Sequence, residues 1–209
     1  MSAEDDSLFK KIEDSILIGR FQDTRAFVKE AMDNGTDPAS LLETVIVPAI
    51  KKLVERFDNG EVYLPTIVAA SNFLEEFTTD QNIADQNQAP VVTIGTVSSD
   101  IHEIGKNICA SMLRVYGFRV EDLGADVPSE KFLSVAVKYG CHIIAASAAM
   151  KGGLKSQREL VDMAKGDDIT VLIGGASCNP RWAESIGASY SKDAAELVRI
   201  VQSKTAESD

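Results

Sequence analysis

Residues 91–105 read VVTIGTVSSDIHEIG: an apolar run, a polar loop and the first residues of a helix. The loop contains Asp100, His102 and Gly105, a D-x-H-x-x-G pattern around one of the two histidines of the chain. Open α/β sheets bind their ligands at the carboxyl ends of the strands. An aspartate two residues before a histidine can hold one ring nitrogen and direct the other outwards. His102 is therefore a candidate metal ligand.

The chain after residue 90 alternates between short apolar runs and amphipathic stretches. We predict strands at 91–97, 119–123, 142–147, 170–174 and 188–190, followed by helices at 104–116, 129–139, 154–165, 180–186 and 193–204. Five strand–helix units of this kind predict a doubly wound, Rossmann-like (flavodoxin-like) α/β domain over residues 91–209, with a five-stranded parallel sheet.

The chain before residue 80 predicts helices instead. Its apolar residues recur with a helical period, and the pattern is interrupted at Gly19, at Asn34-Gly35 and at Asn59-Gly60. Four amphipathic helices with short connections predict a four-helix bundle over residues 1–80, with a kink at Pro48 in the third helix. The polar residues 81–90 predict a linker.

The composition excludes several classes of protein. The net charge of the 209 residues is −11, and residues 1–80 carry 8 Lys/Arg against 16 Asp/Glu. An acidic chain without a basic cluster is not expected to bind nucleic acid or anionic membranes.

Neither a secretory signal nor a membrane-spanning run is recognisable, so we expect a cytoplasmic protein. Cys109, Cys141 and Cys178 lack the spacing of a zinc site and indicate buried thiols.

Two further loops belong to the same predicted edge of the sheet. The third strand ends at Ser147-Ala148-Ala149, and the fourth ends at Gly174-Gly175. Because the carboxyl ends of parallel strands meet at one edge, we expect both loops beside His102. Their side chains are small and predict a groove that accepts a long, flat insertion: Ser147, Ala149, Gly174, Gly175, Ala176 and Ser177.

These three elements resemble the signature of the cobalamin-binding fold. In this chain 41 residues separate Gly105 from Ser147, and 24 separate Ala149 from Gly174. The helical half is similar as well, because residues 57–65, FDNGEVYLP, look like the F-x-x-G-E-x-[FY]-L-P run of the cap domain in cobalamin-dependent methyltransferases. The resemblance covers nearly the whole chain. It is to the stand-alone corrinoid proteins of multi-component methyltransferase systems, which are similar to the cobalamin module of methionine synthase.

The resemblance implies cobalamin bound in the base-off, His-on state. His102 would replace the cofactor's own base as lower ligand of cobalt. Asp100 would accept the N–H of the other ring nitrogen of His102 and would help a proton reach this histidine when the methyl group leaves. The resemblance also implies cofactor contacts from three loops: Ser98, Ser99, Asp100, Ile101, His102, Glu103, Ile104 and Gly105; Ser147, Ala149, Lys151 and Gly153; and Gly174, Gly175 and Ala176. Tyr63, Leu64 and Leu74 of the cap would shield the upper face of the cobalt.

Three positions depart from the family pattern. In methionine synthase a hydroxyl six residues after the serine completes a His-Asp-Ser relay, and this chain has Gly153 there. Lys151 stands where a threonine is common, and Ala149 is smaller than usual. The relay is therefore expected to be reduced to His102 and Asp100. Structural explanations stay open for several residues: Ser147 as a strand end, the glycine pair as a turn, Glu103 as a solvated charge, and the cap residues as core.

The resemblance implies a methyl carrier that does not turn over alone. A substrate-specific methyltransferase would load cobalt from methanol, a methylamine, glycine betaine or a methoxylated aromatic, as in O-demethylase systems. A second methyltransferase would pass the methyl group to tetrahydrofolate or coenzyme M, and a reductive activase would restore oxidised cobalt. Two alternatives are a cobalamin-sensing regulator and the small subunit of a cobalamin-dependent mutase. A third is a flavodoxin-like domain without cobalamin.

Overall fold

The first half of the chain is helical, as the sequence predicts. In the computed structural model, which describes residues 3–81 and 91–206, it forms α1 (Ala3–Leu17), α2 (Phe21–Asp33), α3 (Pro38–Leu41), α4 (Val47–Asp58) and α5 (Leu64–Asp80). The predicted breaks at Gly19, Asn34-Gly35 and Asn59-Gly60 are confirmed. Apolar side chains from α1, α3, α4 and α5 are fully buried and form the core of this half: Ile12, Ile16, Leu41, Leu53 and Ile67.

The third predicted helix changes its hydrogen bonding just before Pro48. Residues Leu42–Ile46 form a π-helical turn between α3 and α4, and the N–H of Val47 donates to the carbonyl of Leu42. Proline has no N–H to donate, so an irregularity is expected here. The structure shows it as a π-helical turn that ends two residues before the proline. The start of the helix is the predicted one, because the carboxylate of Asp37 accepts the N–H of Ser40 at 2.8 Å.

The second half forms the predicted parallel sheet. Its strands are β1 (Val91–Thr96), β2 (Arg119–Asp122), β3 (Ile143–Ser147), β4 (Thr170–Gly174) and β5 (Ser189–Tyr190). Its helices are α6 (Ile104–Val115), α7 (Ser129–Tyr139), α8 (Gly153–Met163), α9 (Pro180–Ile186) and α10 (Ala194–Ala206). The spatial order is β2-β1-β3-β4-β5 and every pair is parallel. The Rossmann-like fold is therefore confirmed.

The strand order places a switch point between β1 and β3. The chain leaves β1 for β2 on one side and then crosses to β3 on the other. Thr96 pairs with Ser147 and Ser147 pairs with Gly174, so β1, β3 and β4 end in register. The loops after these strands consequently lie along one edge of the sheet. This is the position at which open α/β sheets bind ligands.

The sheet is covered tightly on the α7 side. Phe132 of α7 is fully buried. A Cβ added at Gly95 of β1 would lie 2.7 Å from the ring of Phe132. Glycine at this position therefore permits the helix to pack close to the central strand.

By its internal contacts the chain divides into two compact units, Met1–Gln88 and Ala89–Asp209. The predicted linker 81–90 lies outside the described residues except for Gln81. Among residues 3–81 and 91–206, no helix has both the length and the apolar composition needed to cross a membrane.

Candidate functional site

The His102 ring lies on the loop after β1 and is held by Asp100. Its Nδ1 donates to Oδ1 of Asp100 at 2.8 Å, and its backbone N–H donates to the same oxygen at 3.0 Å. The histidine side chain is 58% exposed, whereas the aspartate side chain is 0% exposed. Within the described ranges Nε2 has no hydrogen-bond partner. The predicted contact between the side chains of Asp100 and His102 is present. It leaves Nε2 as the ring nitrogen available to a ligand.

Asp100 is buried yet held ionised. Its second oxygen, Oδ2, accepts the backbone N–H groups of Ala149 at 2.6 Å and Met150 at 2.8 Å. Burial by itself raises the pKa of Asp100, but the hydrogen bonds from His102, Met150 and Ala149 outweigh it, and the net pKa lies below its ordinary value. An ionised acceptor keeps the proton on Nδ1 of His102. The lone pair is then on Nε2.

These contacts also join two loops. Asp100 belongs to the loop after β1, whereas Ala149 and Met150 belong to the loop after β3. The sequence predicted that both loops reach the same edge of the sheet. It did not predict that backbone amides of one loop would bind the carboxylate of the other. Every non-proline residue carries a backbone N–H, so the residue type does not indicate which N–H groups will bind a carboxylate.

The backbone of His102 is fixed from the other side as well. Its carbonyl accepts the hydroxyl of Thr96, the last residue of β1, at 3.0 Å. Thr96 is fully buried. Thr96 is not recognisable as a site residue from sequence, since a threonine in a strand is common.

The segment before the histidine is locally strained. Ser99 has φ 68° and Asp126 has φ 54°, both in the left-handed region that non-glycine residues rarely adopt. They are linked, because the N–H of Ser99 donates to Oδ1 of Asp126 at 2.8 Å. The N–H of Asp126 in turn donates to the carbonyl of Asp100 at 3.0 Å. Two hydrogen bonds thus connect the loop that carries His102 to the loop after β2.

A buried lysine at the start of α6 was not predicted either. Lys106 is 2% exposed, and its Nζ lies 2.6 Å and 2.7 Å from the two carboxylate oxygens of Asp122. It is also 3.5 Å from the carboxylate of Glu103. Glu103 is thus an exposed residue at the helix start that faces a cation. The spacing of Glu103 and Lys106, one helical turn, was the available signal.

Gly153 packs against residues of the loops that follow β1 and β3. A Cβ at this position would be 2.9 Å from Cγ2 of Val97, 3.2 Å from Cβ of Ala148 and 3.7 Å from Cβ of Asp100. A side chain there would have to displace its neighbours. The absent relay hydroxyl thus coincides with close packing of the first turn of α8.

The glycine pair at the end of β4 packs against protein backbone: Gly175 against the loop after β3 and Gly174 against the residue after β5. Gly175 has φ 108°, and a Cβ there would lie 2.3 Å from the carbonyl oxygen of Ala148. At Gly174 a Cβ would lie 3.0 Å from the carbonyl oxygen of Ser191. Another group does approach the backbone of both glycines closely, as expected. In the structure this group is protein backbone, at Ala148 and at Ser191. Cofactor contact by Gly174 and Gly175 stays a prediction.

A buried polar cluster lies between β3, β4, α8 and α9. The amide of Gln157 donates to the carbonyl of Ala146 at 2.9 Å, and its oxygen accepts Nε1 of Trp182 at 3.0 Å. The thiol of Cys178 is 3.3 Å from the same oxygen. Cys141 and Cys178 are buried, as predicted, whereas Cys109 is half-buried. Burial raises the pKa of Cys178. Gln157 is not recognisable as a member of this cluster from sequence, because its helical position predicts only a solvated or core residue.

The remaining predicted site residues lie mostly on the surface. Ile101 and Ile104 are 75% and 81% exposed, which is unusual for isoleucine. Tyr63 is exposed, while Leu64 and Leu74 are half-buried, all in the helical unit. The others form exposed or half-buried parts of the three loops: Ser98, Gly105, Ser147, Ala149, Lys151 and Ala176. Within the parts of the chain that are described, no three His, Cys, Asp or Glu side chains are grouped to hold a metal ion.

Comparisons with known proteins cover both units. Two family models, both described as B12 binding domain, match residues 90–199 and residues 8–78. Trimethylamine corrinoid protein 1 of Methanosarcina acetivorans is 33% identical over 185 residues, which are 83% of this chain and 86% of the relative. Dimethylamine corrinoid protein 2 of Methanosarcina mazei is 30% identical over 206 residues, which are 94% of this chain and 96% of the relative.

A solved structure matches across both units as well. The methanol:cobalamin methyltransferase complex of Methanosarcina barkeri is similar with a TM-score of 0.82 and 26% sequence identity, covering 96% of this chain and 80% of that chain. The likeness therefore includes the helical half and is not limited to the Rossmann-like half.

Proposed function

Because the chain belongs to the family of B12-binding proteins, we propose that it is a corrinoid protein that carries a methyl group on cobalt between methyltransferases. The observation that carries this proposal is the pair formed by Asp100 and His102. A buried, ionised carboxylate holds Nδ1 of an exposed imidazole, so Nε2 carries the lone pair that can bind a metal. Neutral imidazole held in this way is a common ligand of transition metals.

The residues around His102 fit a large, partly apolar metal complex. Ile101, Ile104 and Met150 expose apolar side chains close to the histidine in sequence or through the Asp100 contact. Large apolar side chains exposed on loops at the ligand-binding edge of the sheet support a binding surface there. We infer that His102 is the lower axial ligand, in the base-off, His-on state, and that these side chains support the macrocycle. When bound, the corrinoid supplies a cobalt centre that accepts and releases a methyl group.

The chain's own residues would hold and orient the ligand. Asp100 keeps the proton on Nδ1, and it is itself fixed by the backbone amides of Ala149 and Met150. Removal of such an outer partner usually weakens metal binding about 10- to 100-fold. The loops around Ser98, Ser147 and Gly174 would line the site. Contact of Tyr63, Leu64 and Leu74 with the cofactor stays a prediction.

The names of the relatives support one of the proposed partners, a methyltransferase. Relatives of this chain are called trimethylamine and dimethylamine corrinoid proteins, and a similar structure is a methanol:cobalamin methyltransferase complex. These names support a one-carbon donor of the methylamine or methanol type, delivered by a substrate-specific methyltransferase. A second methyltransferase would pass the methyl group to tetrahydrofolate or coenzyme M. A reductive activase completes the proposed set.

Reconstitution with hydroxocobalamin tests cofactor binding. The purified wild-type protein should stay red through desalting, and His102→Ala should retain less corrinoid and show a shifted visible spectrum. His142→Ala is the matched control. His142 is the other histidine, it lies just before β3, and its Nδ1 is 2.9 Å from the carbonyl oxygen of Asp168. A colourless wild-type protein, or equal behaviour of the two alanine variants, would contradict the proposal.

Methyl loading separates a carrier from a sensor. The reduced, corrinoid-loaded protein is incubated with methylamines or methanol, with and without a purified methyltransferase that matches each donor. We expect methylation of the corrinoid only when donor and partner are both present. Tight corrinoid binding without methylation by any donor–partner pair would favour a cobalamin sensor instead.

A further inference from the structure

Thr96 connects the central strand of the sheet to the backbone of His102. Its hydroxyl donates to the carbonyl of His102 at 3.0 Å, across the loop that carries Asp100. Thr96 is fully buried, so this hydroxyl does not exchange its partner for water without local opening.

Thr96 itself is held firmly. Its N–H donates to the carbonyl of Gly124 at 2.9 Å, and its carbonyl accepts the N–H of Val127 at 3.0 Å. It also pairs with Ser147 in the register of β1 and β3. The hydroxyl therefore starts from a backbone that is fixed on both sides, and it can define the position of the group to which it donates.

The two flanking contacts of His102 act on opposite ends of its backbone. Asp100 accepts the N–H of His102 at 3.0 Å, and Thr96 donates to its carbonyl. With both ends fixed, the direction of the Cα–Cβ bond is set. The hydrogen bond from Nδ1 to Asp100 then sets the ring rotation. Preorganisation of this kind lowers the cost of binding.

We propose that Thr96 is a positioning residue for the axial histidine, and that its hydroxyl favours ligation of the cobalt by Nε2 of His102. This inference rests on the proposed function, because it requires His102 to bind the corrinoid. Thr96 acts only through His102 and its loop. It differs from Asp100, which binds the imidazole ring directly.

The same strand contains a matched control. Thr93 is three residues earlier in β1 and is fully buried. Its hydroxyl has no hydrogen-bond partner among the described residues. Thr93→Val and Thr96→Val are the same nearly isosteric change in one strand. Only the second removes a hydrogen bond to the histidine.

The experiment uses the full chain loaded with hydroxocobalamin and reduced to the cobalt(II) form. In electron paramagnetic resonance, an axial ¹⁴N nitrogen splits the cobalt lines into triplets. Protein labelled with ¹⁵N-histidine gives doublets only where the nitrogen belongs to the protein. The ratio of histidine-ligated to unligated cobalt can therefore be read directly for the wild type and for Thr96→Val, Thr96→Ser and Thr93→Val.

We expect the ratio to fall about fivefold in Thr96→Val, as for the loss of one neutral hydrogen bond. Thr96→Ser keeps the donor and should restore the ratio, and Thr93→Val should leave it unchanged. An unchanged ratio in Thr96→Val would overturn the proposal. So would a Thr96→Ser variant as impaired as Thr96→Val, or a Thr93→Val variant with the same loss.

Failure of the proposed function is distinguishable from failure of this inference. A wild-type spectrum without doublets, or doublets that survive in His102→Ala, would show that His102 is not the ligand. If Thr96→Val does not fold, the wild-type protein without cofactor supplies the test by NMR. A slowly exchanging Thr96 hydroxyl proton with contacts to residue 102 supports the proposal, and a rapidly exchanging one contradicts it.

Discussion

Gly175→Ala should strongly destabilise the second unit, even without any cofactor. The added Cβ would lie 2.3 Å from the carbonyl oxygen, 2.6 Å from the carbonyl carbon and 2.8 Å from the nitrogen of Ala148. All three are backbone atoms, so no flexible side chain can move aside. The two loops that meet here are also joined by the N–H of Ala148, which donates to the carbonyl of Gly174 at 2.9 Å.

The expected magnitude has two parts. A side chain at φ 108° costs about 1–3 kcal/mol of backbone strain. Overpacking against Ala148 adds about 1–3 kcal/mol. Gly166→Ala is the matched control, because Gly166 has φ 97° and its Cβ would meet no heavy atom of the described residues within 4 Å. The difference between the two variants, about 2 kcal/mol, measures the close approach alone.

Urea unfolding of the cofactor-free protein, followed by fluorescence, measures this difference. Trp182 is the single tryptophan and lies in α9, so its emission reports on the second unit. With a slope of about 1–3 kcal/mol per molar urea, 2 kcal/mol lowers the midpoint by roughly 1 M. Equal midpoints for Gly175→Ala and Gly166→Ala would refute the assigned packing role. The glycine would then have to be explained by ligand contact.

Three other changes have defined outcomes. The hydrogen bond from Lys52 lowers the pKa of Glu13, so this pair stabilises the helical unit above the unfolded pKa and less as the pH falls through the folded one. Glu13→Gln should remove this pH dependence of the unfolding free energy below about pH 5. At pH 7 the variant should lose at most ~1 kcal/mol, as measured by urea midpoints. An unchanged pH profile would contradict this prediction. Gly153→Ser should lower the free energy of unfolding by about 1–3 kcal/mol through contact with Val97, and a fully stable variant would show that a relay serine can fit. Burial, with a contribution from a nearby carboxylate, raises the pKa of Cys109 from 9.0 to about 11, so its alkylation by iodoacetamide at pH 8, followed by mass spectrometry, should be roughly 100-fold slower than that of an ordinary thiol. A rate like that of a free thiol would exclude this prediction.

The architecture could be predicted because it depends on patterns that extend over many residues. The helices of the first half end at Leu17, Asp33 and Asp58, each within two residues of a predicted glycine break. The five strands were recognisable as short apolar runs separated by helical stretches. Four of the five strands, all except β4, were predicted one residue too long. In the first strand, Val97 forms only an isolated bridge with Val127. The meeting of three loops at one edge follows from parallel pairing alone.

The site could be predicted only where a side chain carries the chemistry. Asp100 and His102 are distinctive letters at a distinctive spacing, and their hydrogen bond was expected. Lys106 and Thr96 are ordinary residues in a helix and a strand. Their importance depends on which groups the fold brings to them, namely Asp122 for Lys106 and the carbonyl of His102 for Thr96. The residue types of Lys106 and Thr96 do not by themselves identify these partners.

The missing relay residue shows why this distinction matters for mechanism. From sequence, Gly153 indicates that Asp100 has lost a hydroxyl partner and that the relay is shortened. In the structure Oδ2 of Asp100 has two donors, the N–H groups of Ala149 and Met150. A carboxylate with donors on both oxygens is already solvated by the protein, so it is stable as an anion without a serine. The small residue at Gly153 then has a different physical cause, namely that Val97 and Ala148 occupy the space that a side chain would need. A residue that departs from a family motif can therefore have a packing cause of its own, and the backbone N–H groups that hold Asp100 are visible only in the folded chain.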